Sequence, residues 1–211
     1  MAELDTDEEK IEAIKKWWKT NGVAVVAGVA IGLGAVLGWR TWVDYRTNHA
    51  QRASLAFEQL QMTADAGDAA SVQKQAELMV KDFGGTPYAM FAELTAARVA
   101  LDNGDSAAAV AALTRAIDRA PDPALATLAA LRLARVQLDQ GDLDAAAKTI
   151  ERHGTSGAFA GDFAALRGDI AAARGDSDEA RAAYRTALDS NAGNARLIEL
   201  KLQDLPAGGA S

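Results

Sequence analysis

The sequence predicts an all-α protein: a single transmembrane helix followed by a solenoid of paired helices. Three observations predict it. An uncharged apolar run over residues 23–39 has tryptophans on both sides. The dipeptide Gly-Asp recurs downstream at spacings of 37, 37 and 34 residues, with a helical stretch on each side of every copy. The soluble part is rich in alanine and poor in aromatics, and no segment alternates as a strand would.

The first element is a short N-terminal segment, 1–22. It is acidic at its start and amphipathic later, which fits a docking peptide or a surface-lying helix. The transmembrane helix is placed over 23–43. A bilayer core of about 30 Å needs roughly 20 mainly apolar residues in a helix. Trp17 and Trp18 stand before the run; Trp39, Trp42 and Tyr45 stand after it, and all four tryptophans of the chain lie here. Amphipathic rings favour the two membrane interfaces, so these residues form an aromatic belt at each end. A cleaved signal peptide would have a shorter apolar stretch and a small-residue cleavage site. Here the bulky Trp39, Arg40 and Trp42 follow instead. A buried core helix would not carry flanking tryptophans and lysines. Gly28 with Gly32, and Gly34 with Gly38, form two small-xxx-small pairs that let another membrane helix approach closely. Glycine is also simply common in membrane spans. Four lysines precede the apolar run and three arginines, Arg40, Arg46 and Arg52, follow it, a slight bias towards an N-terminus inside.

Residues 44–83 read as a linker helix and a degenerate first helix pair, 46–66 with 69–82. A Gly-Gly-Thr-Pro stretch then breaks the chain. Residues 84–205 read as the repeat domain: 88–103 with 106–120, 123–140 with 143–153, and 158–174 with 177–190. Pro123 suits a first helical position. A last helix over 194–205 would cover the exposed end of the stack. A loop is expected within 151–160, and 206–211 reads as a disordered tail. Gly67-Asp68, Gly104-Asp105, Gly141-Asp142 and Gly175-Asp176 mark the turns. Glycine tolerates the left-handed conformation that ends one helix, and aspartate caps the next. A period near 34 built from helix–turn–helix units is the tetratricopeptide pattern.

Composition removes several classes of function. There is no cysteine, so disulfides, thiolate metal sites and cysteine nucleophiles are excluded. The net charge is −7 and no basic stripe is visible, so nucleic acid is not an expected partner. His49 and His153 are the only histidines and have no suitably spaced partners for a metal or acid–base site. Two Arg-Gly-Asp tripeptides, at 167–169 and 174–176, read as repeat architecture. No phosphate loop or nucleophile motif is present. We therefore expect a non-enzymatic chain with no cofactor. Stacked helix pairs make a groove for another chain. Arg98, Arg132 and Arg135 fall on first helices, which usually line such a groove. They fit either a polar ligand or pairing with nearby aspartates.

The block Lys15-Lys16-Trp17-Trp18-Lys19-Thr20-Asn21-Gly22, the glycine-rich span and Gly38-Trp39-Arg40-Thr41-Trp42 resemble the YfgM-type family of ancillary SecYEG translocon subunits. The likeness continues in residues 131–136, 166–170 and 180–188. The resemblance implies an inner-membrane protein with a cytoplasmic N-terminus and a periplasmic repeat domain. It implies partners: the SecYEG translocon, membrane-anchored prolyl-isomerase-like chaperones of the periplasm, and exported nascent chains. The alternative is a membrane-anchored repeat scaffold for assembly or regulation of the cell envelope.

Overall fold

The structure, a computed structural model, describes residues 7–154 and 157–206. Among the described residues there is no strand. The chain divides between His49 and Ala50 into two units, each taken here by itself.

The first unit belongs to helix α1, Asp7–Asp65. At about 1.5 Å rise per residue, the 23–43 stretch measures about 31 Å, the thickness of a bilayer's hydrocarbon core. Its Val23, Ile31, Leu33 and Leu37 are exposed, so nothing in this unit buries them. Polar side chains at both ends fold back on the helix. Thr20 Oγ1 donates to the Lys16 carbonyl at 3.1 Å, and Thr41 Oγ1 to that of Leu37 at 2.9 Å.

The second unit holds the remainder of α1, then α2 (Ala69–Phe83), α3 (Pro87–Asp102), α4 (Ser106–Asp118), α5 (Pro123–Asp139), α6 (Leu143–His153), α7 (Ala160–Ala173), α8 (Ser177–Asp189) and α9 (Ala195–Asp204). The Gly-Asp turns do what their residue types require. Gly67, Gly104, Gly141 and Gly175 have φ of +77°, +77°, +79° and +82°. Each following aspartate accepts a backbone N–H of the next helix at 2.9–3.0 Å, from Ser71, Ala108, Ala145 and Glu179. After α3, α5 and α7 the aspartate N–H also reaches back to the helix, as Asp105 N does to the Ala100 carbonyl at 2.8 Å. Asp122 caps α5 with Pro123 in its first turn.

Counting from each turn glycine shows the repeat at the level of packing. Seven residues before it, Leu60, Ala97, Ala134 and Gly168 are buried. Five after it, Val72, Ala109, Ala146 and Ala180 are buried; nine after it, Ala76, Leu113, Ile150 and Tyr184. In the last three pairs a small residue on each of the two helices brings the backbones together and a larger one fills the space beside them; in the first pair Leu60 and Val72 stand at the small positions and Ala76 at the large one. In the last pair a Cβ at Gly168 would lie 2.5 Å from the Tyr184 ring, so only glycine fits.

The core is consecutive rather than central. One cluster joins α1 to α4 with Leu133 and Val136 of α5; a second joins α5, α6 and α7; a third joins α7, α8 and α9. Each helix pair is therefore buried by its neighbours.

Observed helix ends differ from the sequence expectation by one or two residues. Helix α7 starts at Ala160, not 158, because Gly157 turns the chain at φ +98° and Phe159 packs its ring on the second cluster. Helix α3 starts one residue earlier than expected, with Pro87 in its first turn. Residues 1–6 of the N-terminal segment, 155–156 of the expected loop and 207–211 of the expected tail lie outside the described residues.

Candidate functional site

The candidate membrane surface lies on α1. Gly28, Gly32, Gly34 and Gly38 are exposed, and a Cβ built at any of them would meet nothing within 4 Å. Their faces carry no contact from this unit. Trp17, Trp18, Trp39 and Trp42 are also exposed. At the C-terminal side of the span the rings form a local cluster. Trp39 and Trp42 lie 5.3 Å apart between centroids, the Arg46 guanidinium sits 5.0 Å over Trp42, and Tyr45 stacks on His49 at 5.8 Å. Such a group places an apolar body and polar tips at one depth, the arrangement suited to an interface.

The three candidate arginines lie on first helices, Arg98 on α3 and Arg132 and Arg135 on α5. Their surroundings differ. Arg98 stands within ion-pair distance of Asp65 and Asp102, at 3.9 and 3.6 Å. Arg135 donates to Asp162 at 3.3 Å. Both pairs are solvated and contribute little to stability. Arg132 is exposed and, among the described residues, makes no ion pair. Of the three it alone is ready to meet a ligand without losing an internal partner.

Two polar arrangements were not anticipated from the sequence. Glu93 of α3 is fully buried and takes a bidentate pair from Arg115 of α4, Nε to Oε1 at 2.8 Å and Nη2 to Oε2 at 2.9 Å. This hydrogen bond to Glu93 raises the Arg115 pKa further and keeps the guanidinium charged. The helical spacing 89/93/96/97/100 placed Glu93 on the alanine face that α3 buries, and that spacing was the available sign. The second arrangement ties three helices together. Asp169 of α7 accepts the Tyr184 hydroxyl of α8 at 2.7 Å and the Lys201 ammonium of α9 at 2.6 Å. Burial first, and then the bond to Asp169, push the Tyr184 phenol well above its ordinary range, so it remains a neutral donor. Asp169 belongs to the first Arg-Gly-Asp tripeptide, which is thereby spent on architecture. Among the described residues no buried side-chain nitrogen or oxygen lacks a hydrogen-bond partner.

His153 ends α6, half-buried, twelve residues after its turn glycine, where Met79, Ala116 and Ala187 are buried in the other pairs. Burial, and then the neighbouring Arg152 charge, hold its pKa below the ordinary imidazole value. Among the described residues no group of three His, Asp or Glu side chains converges on a metal position. The geometry offers surfaces and clefts between helices, suited to holding another chain.

Comparison with known proteins agrees with this architecture. Residues 15–207 match the family model of the tetratricopeptide repeat-like domain. The ancillary SecYEG translocon subunit of Haemophilus influenzae is 32% identical over 125 residues, 59% of this chain and 61% of that protein. That of Aggregatibacter actinomycetemcomitans is 32% identical over 127 residues, 60% of this chain and 62% of that protein. That of Escherichia coli is 30% identical over 113 residues, 54% of each. The chain thus spans between half and two thirds of the length of these relatives. No solved structure is a significant match.

Proposed function

The chain belongs to the tetratricopeptide repeat-like domain family, and from that premise we propose that it is a non-enzymatic, membrane-anchored ancillary subunit of the SecYEG translocon. The observation that carries this reading is the joint presence of an uncovered apolar stretch, 23–43, and a helical-repeat unit in a chain similar to proteins of that name. In this reading the span sits in the inner membrane with the N-terminus in the cytoplasm and the repeats in the periplasm. Its open glycine faces receive translocon helices. The repeat unit passes exported chains to periplasmic chaperones, with Arg132 on a surface that meets them.

Site-specific photo-crosslinking in intact cells tests this. Probes replace Val29 and Leu33 in the span and Arg132 in the repeats. The expected result is translocon adducts from the span and chaperone or nascent-chain adducts from position 132. Absence of translocon adducts from every position, with the protein shown to be in the membrane, would favour an envelope-assembly scaffold instead.

A further inference from the structure

Three clefts of similar size recur along the second unit, each between two successive second helices and the first helix that separates them. They measure about 370 Å³ among α2, α3 and α4, about 360 Å³ among α4, α5 and α6, and about 390 Å³ among α6, α7 and α8. In the outer two, an arginine of the lining is paired within the chain. Arg115 in the first is neutralised by Glu93. In the third, Arg174 pairs with Asp144 at 2.6 Å, and Arg167, which makes no ion pair among the described residues, stands among two carboxylates of the lining, Glu151 and Glu179.

The middle cleft differs. Lys148 and Arg152 stand one turn apart on α6 and both line it, and among the described residues neither makes an ion pair. The repeat register shows what is missing. Arg152 follows Gly141 by eleven residues, as Arg115 follows Gly104. Glu93 precedes Gly104 by eleven residues, and the residue in that place before Gly141 is Ala130. The third pair keeps the arginine and lacks its carboxylate. Among the described residues, Asp118 of α4 is the one acidic residue lining the cleft, and it makes no ion pair with either cation. Ile117 and the buried Leu133 supply an apolar wall beside the cations.

We propose that the cleft among α4, α5 and α6 binds an acidic peptide segment of a protein partner. Lys148 and Arg152 hold an aspartate or glutamate side chain, and a neighbouring apolar side chain of the peptide rests on Ile117 and Leu133. A carboxylate brought to an arginine and a lysine gains charge-assisted hydrogen bonds that the chain itself does not supply here. An apolar neighbour in the peptide matches the remainder of the lining. This site uses neither the residues of the span nor Arg132, so it does not depend on the translocon reading.

The test uses the full chain in lipid nanodiscs and fluorescent peptides read by anisotropy. One peptide alternates leucine with aspartate and glutamate and is amidated at its C-terminus. A second replaces the acids with asparagine and glutamine. A third is that neutral peptide with a free C-terminal carboxylate. The acidic peptide is expected to bind and the neutral amide to bind at least about tenfold more weakly, as is the acidic peptide to the double variant K148Q/R152Q. Both side chains are exposed, so the double variant should keep the wild-type helical content. Arg185→Gln, which removes an exposed cation on α8 away from the cleft, should change affinity by less than about twofold. Equal binding of the neutral amide, no effect of K148Q/R152Q, or no binding of the acidic peptide would overturn the proposal. Binding of the third peptide as tight as the acidic one would overturn its side-chain assignment in favour of a chain terminus.

Discussion

Glu93 and Arg115 are unequal partners. The glutamate side chain has no exposure, whereas the arginine side chain keeps 39% of its own. Removing the arginine strands a buried charge; removing the glutamate's charge leaves a guanidinium that can turn to water. Arg115→Met should therefore cost about 3–5 kcal/mol and Glu93→Gln about 1–2 kcal/mol. Denaturant-dependent hydrogen exchange in α3 and α4 of the full chain in nanodiscs measures both, and a reversed order would show that the pair is not buried as described. His153 gives a pH dependence of definite sign. Its folded-state pKa lies below the ordinary value, so the unfolded chain takes up the proton first, at about pH 6.5. Stability is full above that pH and falls as the pH drops towards the folded-state value. His153→Leu, which restores an apolar residue to the register, should remove that slope between about pH 7.5 and 5.5. A slope retained in the variant would assign it to other groups. At this scale the sequence was unevenly legible. Gly67, Gly104, Gly141 and Gly175 could be read because a left-handed turn admits few residue types. Glu93 was not read because partner choice is made across helices, by a residue 22 positions away.

Each second helix opens on an aspartate whose carboxylate replaces a missing backbone acceptor. Asp142→Ala should cost about 0.5–2 kcal/mol, and exchange should speed up first at Ala145 and the rest of the first turn of α6. Uniform acceleration across all pairs would instead mean that the array unfolds as one piece. Helix α9 is held differently. Its N-cap, Asn194, makes no side-chain capping bond, and its inward face rests on Ile198, Leu202 and Leu205. Lys201 to Asp169 supplies its polar tie. Lys201→Met is expected to increase exchange in α9 at least about tenfold while leaving α3 to α6 unchanged. A change that reached α3 would contradict nearest-neighbour packing. Helix order and type were legible from the Gly-Asp spacing and the three-and-four apolar pattern. The ends were less so, because Phe159 stops being helical for the sake of a contact with the second cluster, which no local pattern records. The kinship of the first pair was also obscured. Leu60, Val72 and Met79 fill positions where the other pairs carry mostly alanine or glycine, so the packing is conserved in space while the letters differ.

For the whole molecule, the apolar stretch decides where the protein resides. Deleting 23–43 should move the chain from a pellet that resists alkaline carbonate to the soluble fraction; retention in the pellet would place the anchor elsewhere. The repeat unit has many small buried residues and few large ones, so its stability is distributed over many modest contacts. The tie between Asp169 and Lys201, with the Arg181 bond to the Pro206 carbonyl at 2.8 Å, closes the end of the array farthest along the chain from that anchor. Under a pulling load such an end acts as a fuse. It would give way and re-form while the pairs earlier in the chain stay intact, so a tug is absorbed locally and the rest of the array survives.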